Sequence, residues 1–161
     1  MPVRIFSQAP SDRIDLAALV RHAGRFFEAK LEVIGQRELR SQDEGGPGHE
    51  VGLRIDSARR GFSEQYRVRS REANADDYEA ARRAEERGRA TNMSLLAERC
   101  RYVWEVEPVA ATSSAAPLLN LSAVLASVAL GPVLPEDEST LFGIRGAMER
   151  LDALTGPSLQ R

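Results

Sequence analysis

A chain of 161 residues with 29% charged side chains and a formal net charge of −2 is long enough to bury a core without metals or disulfides. Its charge balance gives no general attraction for polyanions. Cys100 stands alone, which excludes a disulfide framework and a multi-cysteine metal site and suits a reducing, cytoplasmic compartment.

Met1 to Phe6 lacks the apolar h-region of a signal peptide. Val3 to Ser7 reads as a short strand, and Pro10-Ser11-Asp12 follows as turn and cap for a helix predicted from about Arg13 to Phe27. Ile14, Leu16, Leu19, Val20, Ala23, Phe26 and Phe27 give that helix a core face. Lys30 to Leu39 is extended, and Ser41 to His49, rich in glycine, is a loop. In Glu50 to Asp56, Val51, Leu53 and Ile55 alternate with Gly52, Arg54 and Asp56, the pattern of a half-buried strand. Arg59-Arg60-Gly61 turns the chain into Phe62 to Ser70, predicting a hairpin.

Asn74 caps a second helix running to about Gly88, whose Ala, Arg and Glu offer little to bury. A shorter piece follows, Ser94 to Arg101, in which Cys100 at helical spacing from Leu96 reads as a small buried hydrophobe. Tyr102 to Val106 is a strand with Tyr102, Trp104 and Val106 on one face. From Pro108 to Pro135 the chain then carries no charge over 28 consecutive residues. Its dense apolar part, Leu118 to Leu130, is shorter than the about 20 residues of a membrane span, so a buried core helix is expected there. Leu118, Leu121, Val124, Leu125 and Val128 would face the sheet, and Asn120 is expected to be buried. Ser122, Ala126 and Ala129 form a small-residue stripe for close approach of a neighbouring element or, alternatively, of a second subunit in a homodimer. A short Val133-Leu134 segment precedes a last helix predicted from near Ser139, with Gly143 and Gly146 expected to pack on that stripe.

The order β-α-β-β-β-α-β-α-(β)-α predicts an α+β fold, a mostly antiparallel sheet of about four to six strands with helices on one face. Residues 1–155 are expected to form a single domain and residues 156–161 a frayed tail.

Candidate chemistry is sparse. No phosphate-loop motif occurs, since Pro47 interrupts the glycine run and no lysine follows. His49-Glu50 lacks a second histidine one helical turn on, and His22 is distant in sequence, so no metal, cofactor or catalytic residue is assigned. Glu105 and Glu107 project from one face of their strand, where enclosure would make an acid/base pair. Arginine dominates the basic residues, with Lys30 the sole lysine, and alanine is abundant, as in proteins of GC-rich bacterial genomes. Charge is unevenly placed: residues 54–101 hold 12 basic against 9 acidic side chains, and residues 102–161 hold 3 against 7.

The sharpest signal is the outer face of the hairpin, where Arg54, Arg67 and Arg69 would project near Arg59 and Arg60. Arginine forks suit carboxylates and phosphates. The expected function is a non-enzymatic, cytoplasmic protein-binding module, an antagonist or adaptor of the antitoxin or immunity type, engaging an acidic partner surface through that face. The acidic C-terminal third argues against nucleic acid. The alternative is a small-ligand protein or enzyme whose pocket lies between the sheet and the charge-free helix, using Glu105, Glu107 and nearby arginines.

Overall fold

A computed structural model describes residues 2–111 and 114–155; the expected tail, 156–161, lies outside the described residues. The protein is α+β, and its elements follow the order expected. They are β1 (Val3–Ser7), α1 (Leu16–Phe26), β2 (Lys30–Leu39), β3 (Gly48–Ser57), β4 (Phe62–Glu72), α2 (Ala75–Gly88), α3 (Met93–Glu98), β5 (Tyr102–Pro108), α4 (Ala115–Ala129), β6 (Val133–Leu134) and α5 (Ile144–Thr155). The strands form one six-stranded sheet in the order β2-β3-β4-β5-β1-β6. Every neighbouring pair is antiparallel.

Strand alternation sends Val51, Leu53, Ile55, Tyr66, Val68, Trp104, Val106, Val3 and Ile5 to one face, where they form the larger core with α1, α4 and Ala147 of α5. The helical part of the charge-free segment is explained by its position. Asn120 to Ala126 of α4 are all buried, polar Asn120 and Ser122 among them, because the sheet, α1 and α5 surround the helix. Among the described residues, no helix is long and apolar enough to cross a membrane.

The Ser122, Ala126, Ala129 stripe is covered within the chain, each residue 2% exposed or less, so it offers no surface to a second subunit. Its C-terminal end lies close to the end of β1, where the Gln8 N–H donates to the Ala129 carbonyl at 2.8 Å.

Helices do not all lie on one face. Ala80, Ala81 and Ala84 of α2, with Ala97 and Cys100, pack against Phe6, Val103 and Leu134 on the opposite side of β1, β5 and β6. That end of the sheet is covered on both faces, whereas β2, β3 and β4 have a helix-free side.

Two helices start later than expected. The Ile14 N–H donates to the His49 ring rather than opening a helix, and α1 is instead capped by Asp15, which accepts from Ala18 N–H at 3.0 Å. The chain before α5 is held extended by paired hydrogen bonds between Val133 and Phe142. Gly146 then leaves room for the Phe142 side chain, and Gly143 lies near Met93, so neither packs on the α4 stripe.

Candidate functional site

The helix-free face is a lattice of alternating charges. The cross-strand registers Glu32↔Arg54, Arg37↔Glu50, Glu50↔Arg69, Arg67↔Glu107 and Arg69↔Glu105 set guanidiniums beside carboxylates from β2 to β5. Arg54 pairs with Glu32 and with Asp56 at 3.5 Å. Arg67 reaches Glu107 at 3.1 Å and Glu50 at 3.6 Å. Arg71 contacts Glu105 at 3.2 Å. The expected arginine-rich face is therefore interleaved with acids.

Three guanidiniums converge on Glu50. This carboxylate, its side chain 11% exposed, is approached by Arg37 at 2.9 Å, Arg67 at 3.6 Å and Arg69 at 3.7 Å. Glu107 on Arg67 and Glu105, in register with Arg69, bring the carboxylates around these three cations to three. Arg37 and Arg67 remain mostly exposed, at 64% and 53%. Gly45, at φ +75°, brings the β2–β3 loop onto Arg69, where a Cβ would sit 2.5 Å from the guanidinium Nη1. A bulge in β2 expels Ile34, which is 45% exposed and lies over Gly52 on this face, its Cγ1 3.2 Å from where a Cβ would stand. An apolar side chain thus borders the guanidinium cluster.

Arg37, Glu50 and Ile34 were not among the residues expected from sequence. Pairing Lys30–Leu39 with Gly48–Ser57 as a second hairpin would have placed all three beside Arg67 and Arg69.

Arg59 and Arg60 do not join the face. From the β3–β4 turn they reach the helix-covered side, Arg59 to Glu28 at 3.3 Å and Arg60 to Asp152 at 2.9 Å and the Thr155 hydroxyl. The Arg60 side chain is 2% exposed and unavailable to a partner.

Toward β1 the lattice becomes a buried network. Arg71 grips Asp77 with both terminal nitrogens, at 2.6 and 2.9 Å. Arg4 adds a bond at 3.1 Å and also reaches Glu138. Asp77 is the third helical residue of α2, so its carboxylate also accepts from Asn74 N–H while Asn74 caps Asp77 N–H. Burial pulls this carboxyl upward, but Arg71, the Asn74 N–H and Arg4 outweigh it and hold it below the ordinary value. The Asp77 hydrogen bond, against the cost of burial, raises Arg71.

Glu105 and Glu107 are not an enclosed pair. Each has an arginine, and the concavity they share with Arg67 and Arg69 holds about 30 Å³, the share of one water molecule. They lie on the sheet face opposite α4, because Trp104 and Val106 occupy the face toward it. The expected pocket combining them with α4 does not form.

A separate cleft of about 360 Å³ does open beside α4. Val3, Leu118, Leu119, Val133 and Phe142 supply its apolar walls, and Glu136 and Asp137 its rim.

The histidines and the cysteine are engaged structurally. His22 Nδ1 meets the Ser127 hydroxyl at 2.9 Å. The Cys100 thiol donates to the Leu96 carbonyl, and burial pushes its pKa up to about 11. Among the described residues, no group of three His, Cys, Asp or Glu is placed to hold a metal.

His49 is buried with both ring nitrogens used. Nδ1 accepts from Ile14 N–H at 3.0 Å, so the proton sits on Nε2, which donates to Gln36 Oε1 at 3.0 Å. Burial first and Arg13 second lower its pKa, against smaller opposing effects of Asp12 and Glu38. The unfolded chain takes this proton near pH 6.5 and the folded chain only at lower pH. Stability should therefore be complete above pH 6.5 and fall by up to about 1.4 kcal/mol per pH unit below it, down to the folded pKa. His49→Asn, which keeps an acceptor for Ile14 without a titrating ring, should flatten urea midpoints between pH 7 and 5; an equal pH slope in both proteins rejects this assignment.

No family model, no curated protein and no solved structure matches this chain.

Proposed function

We propose that the protein is a non-enzymatic binding module whose helix-free sheet face receives an acidic surface of another protein. The observation carrying this reading is the convergence of Arg37, Arg67 and Arg69 on the single Glu50. The forks of Arg37 and Arg67 are mostly exposed and can meet an incoming carboxylate bidentately. Ile34 adds apolar area beside those arginines, and arginine is among the residues in which interfaces concentrate binding energy. The face is a broad sheet surface whose carboxylate–arginine centre has room for about one water, which suits a macromolecular partner better than a small substrate. An antagonist or adaptor of the antitoxin or immunity type, acting in the cytoplasm, fits these features.

The test compares wild type with Arg37→Gln/Arg67→Gln, both purified at low salt from the cells that make the protein. The substituted side chains are mostly exposed, glutamine can still donate to Glu50, and Arg69 stays beside it, so the fold should survive. Wild type should bring down one stoichiometric acidic partner, with an affinity at least tenfold above the variant's and an association rate that falls as salt rises. A partner retained equally by the variant, or wild type isolated alone, rejects the reading.

A further inference from the structure

The cleft beside α4 lies on the opposite side of the sheet from the charge lattice and is built differently. Its walls come from β1, β6, the first turns of α4 and Phe142, and apart from Ser122 they are apolar. Its volume of about 360 Å³ falls within the range of small-molecule sites. Its formal charges are Glu136 and Asp137, both exposed, and no Arg, Lys or His lines it. The Ser139 N–H donates to Asp137 at 3.1 Å, and hydrogen bonding from Ser139 holds that carboxyl below its usual range, so it stays anionic at neutral pH. The nearby start of α4 contributes an opposing partial charge of about +0.5, which two full carboxylates exceed.

We infer that this cleft binds a small organic cation with an apolar body, the body between Leu118 and Val133 and the ammonium or guanidinium at Glu136 and Asp137. The apolar walls supply affinity by removing hydrocarbon from water, and the acidic rim selects the charge of the head. Glu138, next in sequence, is committed elsewhere, to Arg4 and Arg83, so the head group is left to the two preceding acids.

The test uses three probes that share an eight-carbon chain: octylamine, octanoate and octanol, each kept below aggregation and titrated into methyl-labelled protein observed by NMR. Octylamine should move the methyl signals of Leu118, Leu119 and Val133, with at least tenfold higher affinity than octanoate. In Glu136→Gln/Asp137→Asn, whose altered side chains are exposed, octylamine should bind no better than octanol. Octanoate binding as tightly as octylamine overturns the inference, as does an octylamine affinity unchanged in the double variant. Shifts confined to other parts of the surface, or none up to the solubility of octylamine, overturn it as well. Because the lattice is untouched, these results are independent of whether Arg37 and Arg67 bind a partner.

Discussion

Asp77→Ala should cost about 3–5 kcal/mol, the range for removing one partner of a buried ion pair, and lower Tm by about 6–20 °C at this chain length. Asp77 is 1% exposed and carries several duties in one carboxylate. It neutralises Arg71 and Arg4 and closes the capping box of α2. Alanine leaves Arg4, 7% exposed, with Glu138 alone and frees an N-terminal N–H of the helix that covers Phe6 and Val103. Asp77→Asn keeps an acceptor for Asn74 and should lose less. Arg71→Met/Asp77→Leu should be less destabilised than Asp77→Ala, because Arg71 is removed together with its carboxylate and only Arg4 is left short of a partner. Since the folded pKa of Asp77 is depressed, its stabilisation is present above about pH 3.9 and lost as pH falls through the folded value. Urea titrations of the three variants at pH 7 check the order; a loss below about 1 kcal/mol for Asp77→Ala would show that the network contributes little net stability.

That network also marks where sequence reading stopped. Strands with one wet face alternate, and alternation placed β3 and β4 correctly with their outward arginines. In β1 and β5 the apolar residues come in adjacent pairs, Ile5-Phe6 and Val103-Trp104. Such doublets signal a strand covered on both sides, and Phe6 and Val103 do face the second cluster. The covering helix was hard to recognise because α2 buries alanines and a charged Asp77 instead of a large apolar stripe. Its docking depends on β1 and β4 lying within reach of one carboxylate, which local periodicity does not reveal.

The candidate face was legible in part for a related reason. Side-chain direction follows from period two along a single strand, so Arg54, Arg67 and Arg69 were assignable without knowing the sheet order. Charge compensation depends on register between strands, and the three-arginine contact at Glu50 exists only because β3 lies between β2 and β4. Arg60 shows the opposite limit: at a turn, alternation ends, and the side chain turned to Asp152, 92 residues away in sequence.

Gly131→Ala should be the most disruptive single-carbon addition near β6, costing about 3 kcal/mol, the upper part of the range for overpacking. A Cβ at this position would overlap the Phe6 carbonyl oxygen and stand 2.9 Å from the Cys100 sulfur. The carbonyl has little freedom to yield, because β1 is paired with β5 on one side and β6 on the other. Phe6 N–H also donates to Pro132 at 3.0 Å, and Gln8 N–H to Ala129 at 2.8 Å. Relief must come from moving the segment after α4 away from β1, which weakens the Ile5↔Val133 and Arg4↔Leu134 pairings and loosens the cluster around Phe6, Cys100 and Leu134. Cys100 provides the readout, since a thiol 1% exposed with its pKa pushed up to about 11 reacts with a disulfide reagent only through opening of that cluster. If the local opening free energy falls by about 3 kcal/mol, labelling at pH 8 should accelerate by about 100-fold, at about 1.4 kcal/mol per factor of ten. A lowered Tm with an unchanged labelling rate would place the strain outside this cluster; an unchanged Tm and rate would mean that β1 can yield to the added methyl group after all.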